Sequence, residues 1–150
     1  MLAAHPYEEV AFDVYQLDNP NFFAGAGMYG DLKEPVPILD FLKSLKNNLK
    51  TNCVRYTPLV KKQVHRVAWC GGAGSFLIHD AKRVGADVYI TGDVNYHEFF
   101  DAENDVVIAD VGHFESEQFT IELPSDYIME NFPNFAVHLT RVNTNPINYL

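Results

Sequence analysis

RVAWCGGAGSFLIHDAKRVGADVYITGDVNYHEFFDAENDVVIADVGHFESE, residues 66–117, decides how the chain reads. Three short apolar runs stand in it, at 66–70, 87–91 and 106–111. Each is too short for a helix and has the continuous apolar character of a strand covered on both faces. Between them lie helical segments: Ser75 offers a cap for a helix through Val84, Gly85 a left-handed stop, and residues 95–102 a shorter helix. Strands alternating with helices predict an α/β fold, a mostly parallel sheet with helices on both faces and right-handed crossovers.

In an open parallel sheet, ligands bind beyond the carboxyl ends of the strands. The three runs end in Gly71-Gly72, Gly92-Asp93 and Gly112-His113, where glycine lets backbone approach a ligand closely. This places Asp93, His97, His113 and Glu117 on one rim. His113 and Glu117 are four apart at a helix entrance, so they face one point. They could give a divalent ion one nitrogen and one carboxylate oxygen, or they could form an ordinary surface charge pair. Asp93 reads as a ligand, an acceptor behind a ligand, a general base, or the N-cap of the next helix. His97 reads as an acid, a base or a phosphate-orienting group, or as a histidine bonded to a backbone carbonyl. The run from Gly71 and Gly72 to Ser75 could bind an anion through backbone N–H groups, although it lacks the dinucleotide spacing. Cys70 could be a nucleophile but reads better as a small buried residue.

Outward from this block, residues 10–17 (VAFDVYQL) alternate like a half-buried strand, which Asp18-Asn19-Pro20 ends. Gly25, Gly27 and Gly30 among aromatics predict a loop or a sharply bent strand pair over 21–30. Pro37 opens an amphipathic helix to about Lys50, with Ile38, Phe41, Leu42, Leu45 and Leu49 on one face. Residues 53–56 suggest a short strand. A helical stretch over 115–131 is expected to break at Pro124, and residues 135–142 suggest a last strand.

The chain has 150 residues, 47% of them hydrophobic, enough for a packed core. Its net charge of −9, from 11 basic and 20 acidic residues, argues against a nucleic-acid or anionic-membrane surface and favours cations. Two cysteines outside any C-x-x-C pair suit the cytoplasm, and no apolar run reaches the length of a membrane span.

Several motifs together resemble the NIF3-like family, also called DUF34 or GTP cyclohydrolase 1 type 2 homologues: TGDVNYH at 91–97, DVGHFESEQ at 110–118, VNTNP at 142–146 and VAWCGGAGS at 67–75. AHPYEEVAFDVY at 4–15 is similar to the closing strand of the PII-like domain inserted in longer members. The resemblance implies a remnant of that insert over residues 1–32 and a C-terminal NIF3-like α/β domain over 33–150. It further implies a two-metal site between related halves, and dimers or toroidal hexamers. His113 and Glu117 match the C-terminal ligand pair. The family's other ligands, an adjacent His-His pair and an aspartate, come from its N-terminal half, and no adjacent histidines occur here. On that basis the chain is expected to be a fragment whose half-site alone binds zinc, iron or manganese weakly or not at all, and which associates with itself or with a companion half-chain.

Two functions follow from this reading. One is a metal-dependent hydrolase of the cyclohydrolase type acting on a small molecule, with Asp93 or His97 moving protons. The other is a non-enzymatic regulatory or scaffold domain that works through oligomerisation.

Overall fold

The computed structural model describes residue 6, residues 10–17 and residues 24–150. Five strands form one sheet: β1 (Met28–Pro37), β2 (Arg55–Tyr56), β3 (Gln63–Ala73), β4 (Val88–Gly92) and β5 (Val107–Asp110), in spatial order β1-β3-β4-β5-β2. The three strands of residues 66–111 are its centre, and β3–β4 and β4–β5 are parallel. The short β2 and the long β1 flank them antiparallel, so the parallel core has antiparallel edges.

Alternation along β4 shows why the strand is apolar throughout. Val88 and Ile90 face α1 (Ile38–Asn48), where Ile38, Leu42 and Leu45 pack with Val64, Val107, Ala109 and Val111. Tyr89 points the other way, into Ala68, Cys70 and Ile108 under Ile78 and Ala81 of α2 (Ile78–Arg83). Helices cover both faces, as the continuous apolar runs require. Gly85 follows α2 with φ +71, the left-handed stop. The buried thiol of Cys70 donates to the Ala26 carbonyl at 3.2 Å, a packing role.

Other expectations are corrected. Residues 10–17 form no strand, and Val14 is 85% exposed: alternation alone cannot make a strand without a neighbouring edge. The edge strand is instead β1, hidden in the sequence by its glycine, prolines and charges, which suit a solvent-facing edge. β3 continues past Gly71-Gly72 to Ala73. Ser75 caps nothing; its hydroxyl donates to Glu98 at 2.7 Å, and a 3₁₀ turn (Ser75–Leu77) precedes α2. Residues 95–102 give only a 3₁₀ turn (Glu98–Ala102). The long helix divides into α3 (His113–Glu117), a 3₁₀ turn (Gln118–Ile121) and α4 (Glu122–Asn131). Pro124 lies in the first turn of α4, where a missing N–H costs nothing, so it does not break the helix. Residues 135–142 form no strand and are almost wholly exposed.

Candidate metal centre

The ends of β3, β4 and β5 do share a rim. Ala73 lies opposite Gly92 in the parallel register. A Cβ on Gly92 would stand 2.7 Å from the backbone nitrogen of His113, so the loop after β5 touches the end of β4. Gly112 takes φ +93, a conformation that turns the chain from β5 straight into α3 with His113 as its first residue.

One helical turn later Glu117 comes back over His113, with its Oε2 3.3 Å from the imidazole Nε2. The other ring nitrogen, Nδ1, lies 2.7 Å from Oδ2 of Asp93. Asp93 reaches it because its backbone is left-handed, with φ +53, a region aspartate tolerates better than most residues. The ring therefore sits between two carboxylates. The hydrogen bond to Asp93 holds the His113 pKa above its ordinary value; the charge of Glu117 adds to this, and partial burial opposes it. With Asp93 as acceptor, the neutral ring keeps its proton on Nδ1 and turns the Nε2 lone pair toward Glu117. All three side chains are about half exposed, so the cluster opens to solvent.

Gly72 forms the floor beneath this pair. It holds φ +64, and a Cβ there would lie 2.5 Å from Oε1 of Glu117 and 3.2 Å from Nε2 of His113. At Gly71 and Gly72, the suggested anion site, the Gly72 amide donates to Ser116 Oγ at 2.8 Å, and nearby the Gly74 amide donates to Thr91 Oγ1 at 2.9 Å. These donors bind the rim together and are not turned toward a ligand.

Asp93 does not cap the following turn. That role falls to Glu98, whose Oε2 accepts the Asn95 amide at 2.6 Å; this bond and that from Ser75 hold its carboxyl below the ordinary glutamate range. His97 is exposed, packs edge-on against Tyr96 at 5.2 Å, and makes no side-chain hydrogen bond among the described residues. It shares the loop but is not bonded into the cluster. A separate cavity of about 460 Å³, lined by Arg55, Tyr96, Phe99 and Phe100 among others, includes none of Asp93, His113 or Glu117.

Two further carboxylates, Asp110 and Glu115, are buried. Asp110 is 3% exposed and accepts from the Val94 amide, the Gly112 amide and Arg55. Glu115 is 4% exposed. Its Oε1 accepts from the Asn145 side chain at 3.1 Å, while Oε2 has no partner among the described residues. This gives the VNTNP segment a task, since Asn145 ties the C-terminal stretch to α3. Both carboxylates stand within the DVGHFESEQ motif, but their spacing gives neither a role: Asp110 looks like the polar end of a strand and Glu115 like one more acid on a short helix.

For a divalent ion, the chain offers Nε2 of His113 and the Glu117 carboxylate, with Asp93 behind the imidazole. That carboxylate–histidine arrangement recurs behind metal-ligating histidines. Among the described residues, no group of three or more His, Cys, Asp or Glu converges to hold an ion, so these donors fit part of a coordination shell.

Comparison with known proteins agrees over nearly the whole chain. It is 37% identical, over 157 aligned positions, to a GTP cyclohydrolase 1 type 2 homolog of Bacillus subtilis (strain 168), covering 100% of this chain and 41% of that protein. Its likeness to a Staphylococcus epidermidis (strain RP62A) protein of the same name is 29%, covering 99% of this chain and 42% of the relative. It thus spans about two fifths of the length of these relatives. A crystal structure of a Bacillus cereus protein related to NIF3 superposes with a TM-score of 0.76 at 35% identity, over 99% of this chain and 42% of that one. The Staphylococcus aureus protein SA1388 gives 0.77 at 26% identity, over 99% and 49%. The model of the Duf34/NIF3 (NGG1p interacting factor 3) family matches residues 5–146, and the chain belongs to that family.

Proposed function

We propose that this chain contributes the ligand pair His113 and Glu117 to a divalent-metal centre, zinc, iron or manganese, in a metal-dependent hydrolase of the cyclohydrolase type. The observation that carries the reading is the His113 ring, fixed at Nδ1 by Asp93 with Nε2 aimed at Glu117. When the ring loses its extra proton, two donor atoms 3.3 Å apart are left facing one another. A cation between them relieves that arrangement. The bound ion would supply an activated water by lowering its pKa. Asp93 keeps the imidazole in one tautomer, Glu117 offers charge, and Gly72 leaves room for both. His97, on the same loop, is available for proton transfer to a small-molecule substrate. The names of the relatives favour the cyclohydrolase class. Because this chain spans only part of their length, the remaining donors would come from a companion segment or a further copy of the chain.

Zinc titration of the purified chain and of His113→Ala tests the reading. The wild type should take up zinc weakly and the variant should not; equal binding by both rejects the site.

A second reading, a non-enzymatic scaffold, draws on the exposed apolar residues Leu123, Tyr127, Phe132 and Phe135 near and on α4. It predicts assembly that ignores chelator and Glu117→Gln, which a size measurement would show. No helix among the described residues is long and apolar enough to cross a membrane. The free cysteines Cys53 and Cys70 suit a cytoplasmic setting under either reading.

A further inference from the structure

Deepening the metal-centre reading, and resting on it for its functional meaning, we infer that Asp110, backed by Arg55, is the positioning residue that sets the Asp93 loop against the His113 loop. A buried carboxylate is costly unless every oxygen is engaged, so its partners say what it is for. Oδ1 accepts the Gly112 amide at 2.9 Å and Oδ2 the Val94 amide at 3.0 Å. Gly112 directly precedes His113, and Val94 directly follows Asp93. One rigid group thus holds the backbone beside each partner of the Asp93–His113 hydrogen bond.

Arg55 completes the arrangement from the edge strand. It stands opposite Asp110 in the β2–β5 register, bonds to Oδ2, and donates to the Val94 carbonyl at 3.0 Å. Val94 is therefore held at both of its backbone polar groups. The guanidinium lies 5.4 Å from the centre of the Phe99 ring, which fixes it from the outer side. By contrast, Asp93, His113 and Glu117 are half exposed, so the precision of their geometry has to come from the backbone that carries them. A purely structural tie at the end of β5 would affect stability without affecting the imidazole.

Asp110→Asn separates the two roles. A carboxylate accepts at both oxygens, whereas an amide accepts at one end and donates at the other. Either orientation of the new side-chain amide releases one of the two loops. The whole chain would be studied by ¹⁵N NMR of the His113 ring at a pH above its titration, and by zinc chloride titration followed on the same signals. We expect the wild type to hold the Nδ1–H tautomer. Asp110→Asn should mix tautomers and weaken zinc binding about 10- to 100-fold, as removal of partners behind ligands does elsewhere. The Ile108 amide, bonded to Thr57 Oγ1 at 3.0 Å, reports that the sheet is intact. If Asp110→Asn does not fold, Arg55→Met decides: it leaves both amide bonds to Asp110 and should shift the same readouts less, roughly three- to tenfold in affinity.

A folded Asp110→Asn with wild-type tautomer and zinc affinity overturns the inference, as does an Arg55→Met that changes neither when Asp110→Asn is unfolded. If the wild type takes up no zinc yet Asp110→Asn mixes tautomers, the metal reading fails and the positioning role stands. If the wild type binds zinc and a folded Asp110→Asn keeps both that affinity and the single tautomer, the reverse holds.

Discussion

Replacing Gly72 with alanine should damage the fold and the cluster together, and the size of each effect follows from the geometry. At φ +64 an L-residue carries the left-handed penalty of about 1–2 kcal/mol. In a chain of 150 residues this lowers Tm by roughly 2–8 °C. The new Cβ would also lie 2.5 Å from Glu117 Oε1, against roughly 3.3 Å for the nearest tolerable carbon–oxygen approach. The carboxylate is the end of a flexible side chain and can swing aside by about 1 Å at little energetic cost. Doing so abandons the 3.3 Å contact with His113. Gly71→Ala is the matched control, because its Cβ would meet nothing closer than 3.6 Å and its φ is not positive. It should stay within about 0.5 kcal/mol of the wild type or gain slightly from reduced freedom of the unfolded chain. Thermal and urea unfolding measure the first effect, and His113 ring NMR measures the second. If Gly72→Ala is no less stable than Gly71→Ala and leaves the His113 signals unchanged, the floor assigned to Gly72 is wrong.

Three further outcomes are expected. Thr91→Val keeps the shape of a fully buried side chain but removes its bonds to the Gly74 amide and the Gly72 carbonyl, at 2.9 and 3.1 Å; unfolding should show a loss of about 1–3 kcal/mol. Asn145→Ala leaves the buried Glu115 carboxylate without its side-chain partner and should cost about 1–3 kcal/mol, seen as a lower urea midpoint with an unchanged slope. Asp93→Asn removes the largest cause of the raised His113 pKa, so the imidazole should titrate nearer its ordinary value of 6.5 in an NMR pH series. The sign for stability follows from linkage: the contribution of a raised histidine is full below its unfolded pKa and is lost as pH rises through the folded one. The wild type should therefore exceed Asp93→Asn in stability on the acid side of that window, and the gap should narrow above it.

The centre of the fold is legible in residues 66–111 because a strand buried on both faces is apolar at every position. The residues after each strand fall at one rim by polarity of the sheet alone. His113 and Glu117 are likewise legible, since a helical turn fixes their relation locally. What does not show in the sequence depends on neighbours that no period reveals. Edge strand β1 is polar because solvent faces it, and so resembles a loop. Residues 10–17 have the alternation of a strand but pair with no strand among the described residues. Asp110 and Glu115 are acids that look solvent-facing until Arg55, Val94, Gly112 and Asn145, drawn from distant segments, close around them. His97 shares the loop of Asp93, yet its ring packs on Tyr96, because sharing a loop does not fix a rotamer.

The left-handed backbone of Asp93 ties the turn after β4 to the imidazole. A non-glycine residue at φ +53 gives up conformational energy that a glycine would keep. Position 93 follows Gly92 and precedes the fully held Val94, so the chain turns there whatever the side chain is. Only the carboxylate gives aspartate an advantage, since from this backbone it reaches Nδ1 of His113 at 2.7 Å. Asp93→Gly should therefore relax the turn while releasing the ring. Its stability at alkaline pH, where the imidazole is neutral, should equal or exceed that of the wild type by up to about 1 kcal/mol. The His113 tautomer should no longer be single. Stability gained where ring orientation is lost marks a residue kept for positioning. A glycine variant that is clearly less stable at every pH would instead make Asp93 an ordinary structural tie.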